Sequence, residues 1–195
     1  YWSQIYGFNG KVYATWTQHD THTGDSTRKI RVAEYQNDNV TWSFVDGGGY
    51  TGIRKCTTGH AQESKLIEYN NELYVGWAER HCTNTDDHNI RFAKWDNSST
   101  WNFVDGNGAD GINQDSGEDA HQLNVAVYNN NLYAIWRETK SASMTQIHVK
   151  KYNGSSWSSV DGNSTNGINY SSSVSASEPS IIVFKNELYA SWKED

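Results

Sequence analysis

One nine-residue pattern occurs four times in this chain. Its copies are Gly10-Lys11-Val12-Tyr13-Ala14-Thr15-Trp16-Thr17-Gln18, Asn71-Glu72-Leu73-Tyr74-Val75-Gly76-Trp77-Ala78-Glu79, Asn130-Asn131-Leu132-Tyr133-Ala134-Ile135-Trp136-Arg137-Glu138 and Asn186-Glu187-Leu188-Tyr189-Ala190-Ser191-Trp192-Lys193-Glu194. Their tryptophans are 61, 59 and 56 residues apart. A period near 60 calls for a repeat architecture, in which small units bury their faces against one another. The repeat divides the 195 residues into units at about 1–53, 54–112 and 113–168 and a partial unit at 169–195, read together as one array.

Each unit parses into four short strands rich in aromatic and β-branched residues and bounded by Asn, Asp, Gly or Ser. In the second unit they are Lys65 to Tyr69, Leu73 to Glu79, Ile90 to Trp95 and Trp101 to Val104, with a tight Asn70-Asn71 turn between the first two. Third strands recur at Ile30 to Tyr35 and Ile147 to Tyr152, and fourth strands at Trp42 to Val45 and Trp157 to Val160. After each fourth strand come Asp-Gly and then Gly-Ile: Asp46-Gly47 with Gly52-Ile53, Asp105-Gly106 with Gly111-Ile112, Asp161-Gly162 with Gly167-Ile168. An isoleucine in so polar a connector is expected to plug the space between neighbouring units. Alternation on the second strand puts Leu73, Val75, Trp77 and Glu79 on one face and Tyr74, Gly76 and Ala78 on the other. Both faces are apolar, so both are expected to be buried. The expected fold is all-β: a β-propeller of four-stranded antiparallel blades, about three and a half of them in this chain.

The pattern Leu132-Tyr133-Ala134, Trp136, Glu138, Ile147, Val149, Tyr152-Asn153-Gly154 and Trp157 resembles the blades of lectin-like β-propellers. That resemblance covers the whole chain and implies blade architecture and glycan binding. The turns Asn37 to Trp42, Asp96 to Trp101 and Asn153 to Trp157 are similar to the Asp-box turn of sialidase-type propellers, where the turn is structural. The three convergent arginines such an enzyme needs cannot be assembled from Arg28, Arg31, Arg54, Arg80, Arg91 and Arg137.

A net charge of −7 with no Lys/Arg cluster excludes a nucleic-acid footprint and disfavours an anionic membrane surface. No apolar run approaches the roughly 20 residues of a membrane span, so no membrane insertion is expected. Aromatic residues make up 13% of the chain and recur at fixed positions, which argues for a folded protein despite its polarity. The chain starts at Tyr1 without a signal-like segment, and its last unit stops after two strands. An exposed strand edge is seldom tolerated, so self-association or membership of a longer chain is expected.

The repeated Trp-x-Glu/Gln pair is the feature from which a function is read. Gln18, Glu79, Glu138 and Glu194 end the second strand at the rim, where Arg80, His81 and His121 also gather, and a saccharide needs an apolar platform beside a few fixed polar groups. These seven residues are the candidate ligand-binding set, with the competing reading that each tryptophan is core and each Glu pairs locally. His19-Asp20-Thr21-His22, His60, His121, and His81 with Asp86, Asp87 and His88 read as exposed loop residues ahead of a zinc site. Asp105, Asn107 and Asp110 have the alternating oxygens of a Ca²⁺ loop, but a structural Asx/Gly turn ranks first, so no cofactor is required. Cys56 and Cys82 fall in loops on one rim, either bridged, in an oxidising compartment, or as two reduced thiols. Sequons stand at Asn39, Asn97, Asn153, Asn163 and Asn169.

The leading expectation is an extracellular, secreted, lectin-like propeller that binds glycans or glycoproteins in clefts between blades and carries no reaction. A self-assembling structural protein ranks second. A glycosidase using two of Glu79, Glu118, Asp119 and Glu138 ranks third, because hydrolysis needs two carboxylates at a fixed separation in one cleft and a sequence repeat scatters them symmetrically.

Overall fold

The computed structural model describes all residues except 1, 2, 20–26, 38, 39, 49–51, 57, 58, 84–86, 107, 109, 116, 142, 143, 163 and 164. Three antiparallel four-stranded sheets follow one another along the chain, each a simple meander. The first holds β1 (Ser3–Phe8), β2 (Lys11–His19), β3 (Arg28–Tyr35) and β4 (Trp42–Phe44). The second holds β5 (Ala61–Tyr69), β6 (Glu72–Arg80), β7 (His88–Trp95) and β8 (Trp101–Phe103), and the third β9 (Ala120–Tyr128), β10 (Asn131–Ser141), β11 (Met144–Tyr152) and β12 (Trp157–Ser159). A two-stranded sheet of β13 (Ala176–Phe184) and β14 (Glu187–Glu194) completes the series. These are β-propeller blades, three of them whole and one represented by its first two strands.

The hairpin between the first and second strands of each blade turns on two residues with positive φ: Asn9-Gly10, Asn70-Asn71, Asn129-Asn130 and Lys185-Asn186. That is the type I′ requirement, which asparagine meets at low steric cost. The two faces of β6 are buried as alternation demands. Leu73, Val75 and Trp77 join Tyr13, Ile30, Val32, Ile53 and Trp101 in the core between blades one and two, while Tyr74 and Ala78 join Ile112, Leu123, Leu132 and Trp136 in the core between blades two and three. A third core holds Ile135, Ile147, Val149, Ala176 and Ile181. Fourth-strand tryptophans tie one blade to the previous one: Trp101 Nε1 donates to the Val45 carbonyl at 2.9 Å and Trp157 Nε1 to that of Val104 at 3.0 Å.

The Gly-Ile connectors do plug the blade interfaces. Ile53, Ile112 and Ile168 donate their amides to the carbonyls of Ile30, Ile90 and Ile147, the third-strand residues of the preceding blade. The glycine before each has a φ of 57 to 60°. At Gly111 an added Cβ would lie 2.3 Å from the Ile90 carbonyl oxygen. Positive φ and a backbone collision act together there, so Gly111→Ala is expected to cost about 2–4 kcal/mol, read as a lower urea midpoint at unchanged slope. An unchanged midpoint would mean that the connector does not make this approach.

The Asp that follows each fourth strand faces inward. Asp46, Asp105 and Asp161 pair with Arg31, Arg91 and His148 at 2.9, 3.3 and 2.9 Å, and each also accepts a third-strand amide, from Val32, Phe92 and Val149. One of these aspartates, Asp105, was also a candidate Ca²⁺ ligand with Asn107 and Asp110. Asp105 has a side-chain exposure of 0% and its Oδ2 is engaged by Arg91 and by the Phe92 amide; Asp110 turns outward to His81; Asn107 lies outside the described residues. Cys56 and Cys82 form a disulfide, with Cα atoms 5.1 Å apart.

Asn97 is exposed, and the exposed Asn153 uses its side-chain oxygen in the turn. Asn169 is different: its Oδ1 accepts from Ile147 N and its Nδ2 donates to the Val174 carbonyl, so the nitrogen of that sequon is engaged in the fold. Asn39 and Asn163 lie outside the described residues, as do Asp20, His22 and Asp86.

The faces at the two ends of the array are apolar and open. Ile182 and Phe184 are 63% and 57% exposed on β13, and Ile5 and Phe44 are 72% and 49% exposed on the first blade. Among the described residues no helix is long and apolar enough to cross a membrane.

Candidate functional site

The first strands of successive blades lie side by side, β1 against β5, β5 against β9 and β9 against β13, and so line the propeller axis. On three of them the alternation breaks. Glu63, Gln122 and Glu178 have φ of 60, 59 and 56°, at register shifts against β6, β10 and β14. Positive φ on a long side chain costs free energy and persists only where the surroundings impose it. Here neighbouring blades impose it. Glu63 Oε2 accepts from Gln122 N at 2.5 Å, and Gln122 Oε1 accepts from Glu178 N at 2.8 Å. The bulge also starts β5 four residues before the sequence-derived boundary at Lys65, because it disrupts the period-2 pattern.

Two grooves, each of about 290 Å³, flank this line. One runs along the axial face and is lined by Glu63, Lys65, Gln122, Asn124, Glu178 and Pro179. The other opens on the rim between Arg28, His60, Gln62, Arg80, His88 and His121.

A compact charged cluster joins them. Asp119 Oδ1 accepts from His88 N and lies 2.9 Å from His88 Nδ1 and 3.1 Å from His121 Nε2. His121 Nδ1 is 3.5 Å from Glu63 Oε1. Burial works against the charged imidazole of His121, but its hydrogen bonds with Asp119 and Glu63, and their charges, raise it to about 9. Burial likewise pushes the Glu63 and Asp119 carboxyls up, and contacts with His121, with the Gln122 amide for Glu63 and with His88 for Asp119, outweigh it and hold both below their usual range. Glu63 is therefore an ionised carboxylate of fixed orientation facing the axial groove. His88, Asp119 and His121 each offer one metal-ligating atom, all within 4.8 Å of one another.

The folded state prefers cationic His121, so its contribution is full below about pH 6.5, the unfolded value, and is lost as pH rises through about 9. Chelator-treated protein is expected to lose several degrees of thermal midpoint between pH 7 and 9.5, on the order of 2 kcal/mol. His121→Gln should flatten that fall. Parallel pH profiles for the two proteins would contradict the assignment.

Of the seven ligand-binding candidates, Arg80 and His121 meet in the rim groove. His81 sits apart, facing Asp110 at 3.3 Å. The strand-two carboxylates serve another purpose. Glu79 accepts from Lys55 N, Cys56 N and Trp77 Nε1, and Glu138 from Gln114 N, Asp115 N and Trp136 Nε1; both residues are 1% exposed. Glu194 repeats the arrangement with Tyr170 N, Ser171 N and Trp192 Nε1. Each clamps the connector that leads into its own blade, so Glu79 and Glu138 have no surface to offer a sugar. Gln18 is exposed on the first blade, opposite Lys29 of β3. His88 and His121, expected as exposed loop residues, are 15% and 14% exposed. Glu63, Gln122 and Glu178 were not among the sequence candidates. The recurring Ala61-Gln62-Glu63, Ala120-His121-Gln122 and Ala176-Ser177-Glu178 is the signal that marks them.

No protein-family model and no curated protein sequence matches the chain. Solved structures do match its fold. The α-L-arabinanase of Penicillium chrysogenum complexed with arabinobiose aligns with a TM-score of 0.70 at 13% identity, covering 99% of this chain and 57% of that one. The α-L-arabinofuranosidase of Lactobacillus brevis gives 0.56 at 14% identity over 95% and 62%, and a thermostable family-43 glycoside hydrolase 0.57 at 13% over 98% and 64%. This chain thus spans about three-fifths of their length. At these identities the likeness establishes the propeller fold. It also corrects the expectation of a propeller that carries no reaction, since these three matching structures are an arabinanase, an arabinofuranosidase and a glycoside hydrolase.

Proposed function

We propose that this chain is part of a secreted, carbohydrate-active β-propeller that hydrolyses glycosidic bonds of a furanose-containing saccharide bound along the axial groove. The observation that carries the proposal is the convergence of Glu63 and Glu178 on one groove from equivalent bulges on two inner strands. Glycoside hydrolysis needs two carboxylates flanking the bond, one ionised and one able to deliver a proton. Glu63, held in its charged form, suits the base or nucleophile. Glu178, which lines the same groove, is assigned the acid role. Lys65, Gln122 and Asn124 supply donors and acceptors for sugar hydroxyls, and the arabinobiose in the Penicillium neighbour supports the choice of sugar. The disulfide favours an oxidising compartment. The open apolar faces at both ends of the array call for a cover, which further blades or a second copy would provide.

Reducing-sugar release from arabinan and arabinobiose, and release of the chromophore from aryl α-L-arabinofuranosides, test this reading. Turnover is expected. Glu63→Gln keeps the acceptor for Gln122 N, and so the fold, yet is expected to lower kcat at least about 100-fold. Absence of turnover on all three substrates, or full activity in folded Glu63→Gln, would overturn it.

A further inference from the structure

We infer that His88, Asp119 and His121 form a binding site for a divalent transition-metal ion, zinc foremost, with Glu63 behind it. The three donors come from two blades: His88 opens β7, and Asp119 and His121 flank the start of β9. His88 Nδ1 and His121 Nε2 both converge on Asp119 Oδ1, at 2.9 and 3.1 Å. Ligands around tetrahedral zinc stand about 3.3 Å apart, given metal–ligand bonds of about 2.0–2.1 Å. An ion would therefore enter by widening the two histidine–Asp119 separations by a few tenths of an ångström, among three ligand atoms that all lie within 4.8 Å of one another. Two imidazoles and one carboxylate suit zinc and its first-row neighbours, not the hard oxygen-seeking cations.

The surroundings are those of a metal site. His121 has its other ring nitrogen, Nδ1, 3.5 Å from Glu63 Oε1, so an ion on Nε2 fixes the tautomer with Nδ1 donating to a carboxylate. Glu63 is itself held by the Gln122 amide. Asp119 and Glu63 bring two negative charges, which a divalent ion balances. Arg28 and Arg80 line the adjacent groove and oppose a cation, a cost those two carboxylates offset. The rim groove that His88 and His121 help line gives solvent a path to the ion and leaves its fourth position to water.

The test is a zinc titration of the whole chelator-treated chain by calorimetry in the absence of saccharide, with cobalt replacing zinc for a visible spectrum. One site of micromolar or tighter affinity is expected, with imidazole nitrogens in its X-ray absorption shell. His88→Ala and His121→Ala are expected to weaken it at least 10-fold. Glu63→Gln, which leaves all three ligands in place, should weaken it by about 10-fold through the outer shell. Circular dichroism identifies any variant that does not fold, and Asp119→Asn then serves in its place. No zinc binding at micromolar concentration, or affinity unchanged in the folded variants, would overturn the site and assign any binding to the other histidines. The readout needs no turnover, so failure of the glycosidase reading and failure of this one are separable.

Discussion

Arg91→Ala is expected to destabilise the folded chain by about 3–5 kcal/mol, the usual cost of removing one member of a buried ion pair. The Arg91 side chain is 1% exposed and that of Asp105 0%, with Nε 3.3 Å from Oδ2. Both Arg91 Nη atoms also donate to the Gly108 carbonyl at 3.0 Å, so the guanidinium pins the connector that carries Ile112 into the next interface. Truncation leaves the Asp105 carboxylate without its countercharge. A double variant with leucine at both positions should recover part of the loss, because the uncompensated charge disappears. Recovery stays incomplete, since Phe92 N then has no acceptor. Urea unfolding of the two variants measures both effects; equal destabilisation by the single and double changes would show that the stranded charge is not what matters.

The second large effect is expected at Glu79. Its carboxylate is the acceptor for two connector amides, Lys55 and Cys56, and for the Trp77 indole at 2.7 Å. Burial raises its carboxyl above the usual range, partly offset by those same amides and the indole. Glu79→Ala strands three buried donors at once, each costing about 1–3 kcal/mol, so a total of about 3–5 kcal/mol is expected. Glu79→Gln retains one acceptor oxygen and should recover roughly half. The Cys56–Cys82 disulfide anchors the same connector, so the loss should grow under reducing conditions. If Glu79→Ala instead kept its unfolding midpoint while saccharide binding vanished, the clamp role would fail and a ligand role would be restored.

These two residues mark how far the sequence could be read. Strand two of blade two was legible in full: alternation gave its two faces, and both are buried against different blades because Leu73 and Tyr74 necessarily point opposite ways. The hairpins were legible because a type I′ turn imposes positive φ locally and Asn70-Asn71 announces it. The Gly-Ile plugs followed from position within the repeat, which also put Cys56 and Cys82 on one rim while leaving open whether they were bridged or reduced.

The end of strand two was legible as a place, while its role stayed open between a ligand contact and a local pairing. Sequence locates Glu79 beside Trp77, but whether that carboxylate meets solvent or backbone depends on where Lys55 and Cys56 travel, and their path is set by packing between blades. The cluster at the rim was beyond reach for the same reason. His88 and Asp119 are separated by 31 residues and His121 and Glu63 by 58, and no local period relates them. Glu63 carried a further obstacle, because glutamate announces no positive φ and the partner of its side chain, Gln122 N, lies on another blade.

By itself the sequence determined the repeat, the strands, the turns and which faces must be hidden, since each follows from interactions among residues a few positions apart. Tertiary structure alone decided which polar groups are consumed inside the fold and which converge on the grooves. That choice depends on contacts between blades about sixty residues apart, where burial makes an unpaired charge or amide costly and so fixes every partner.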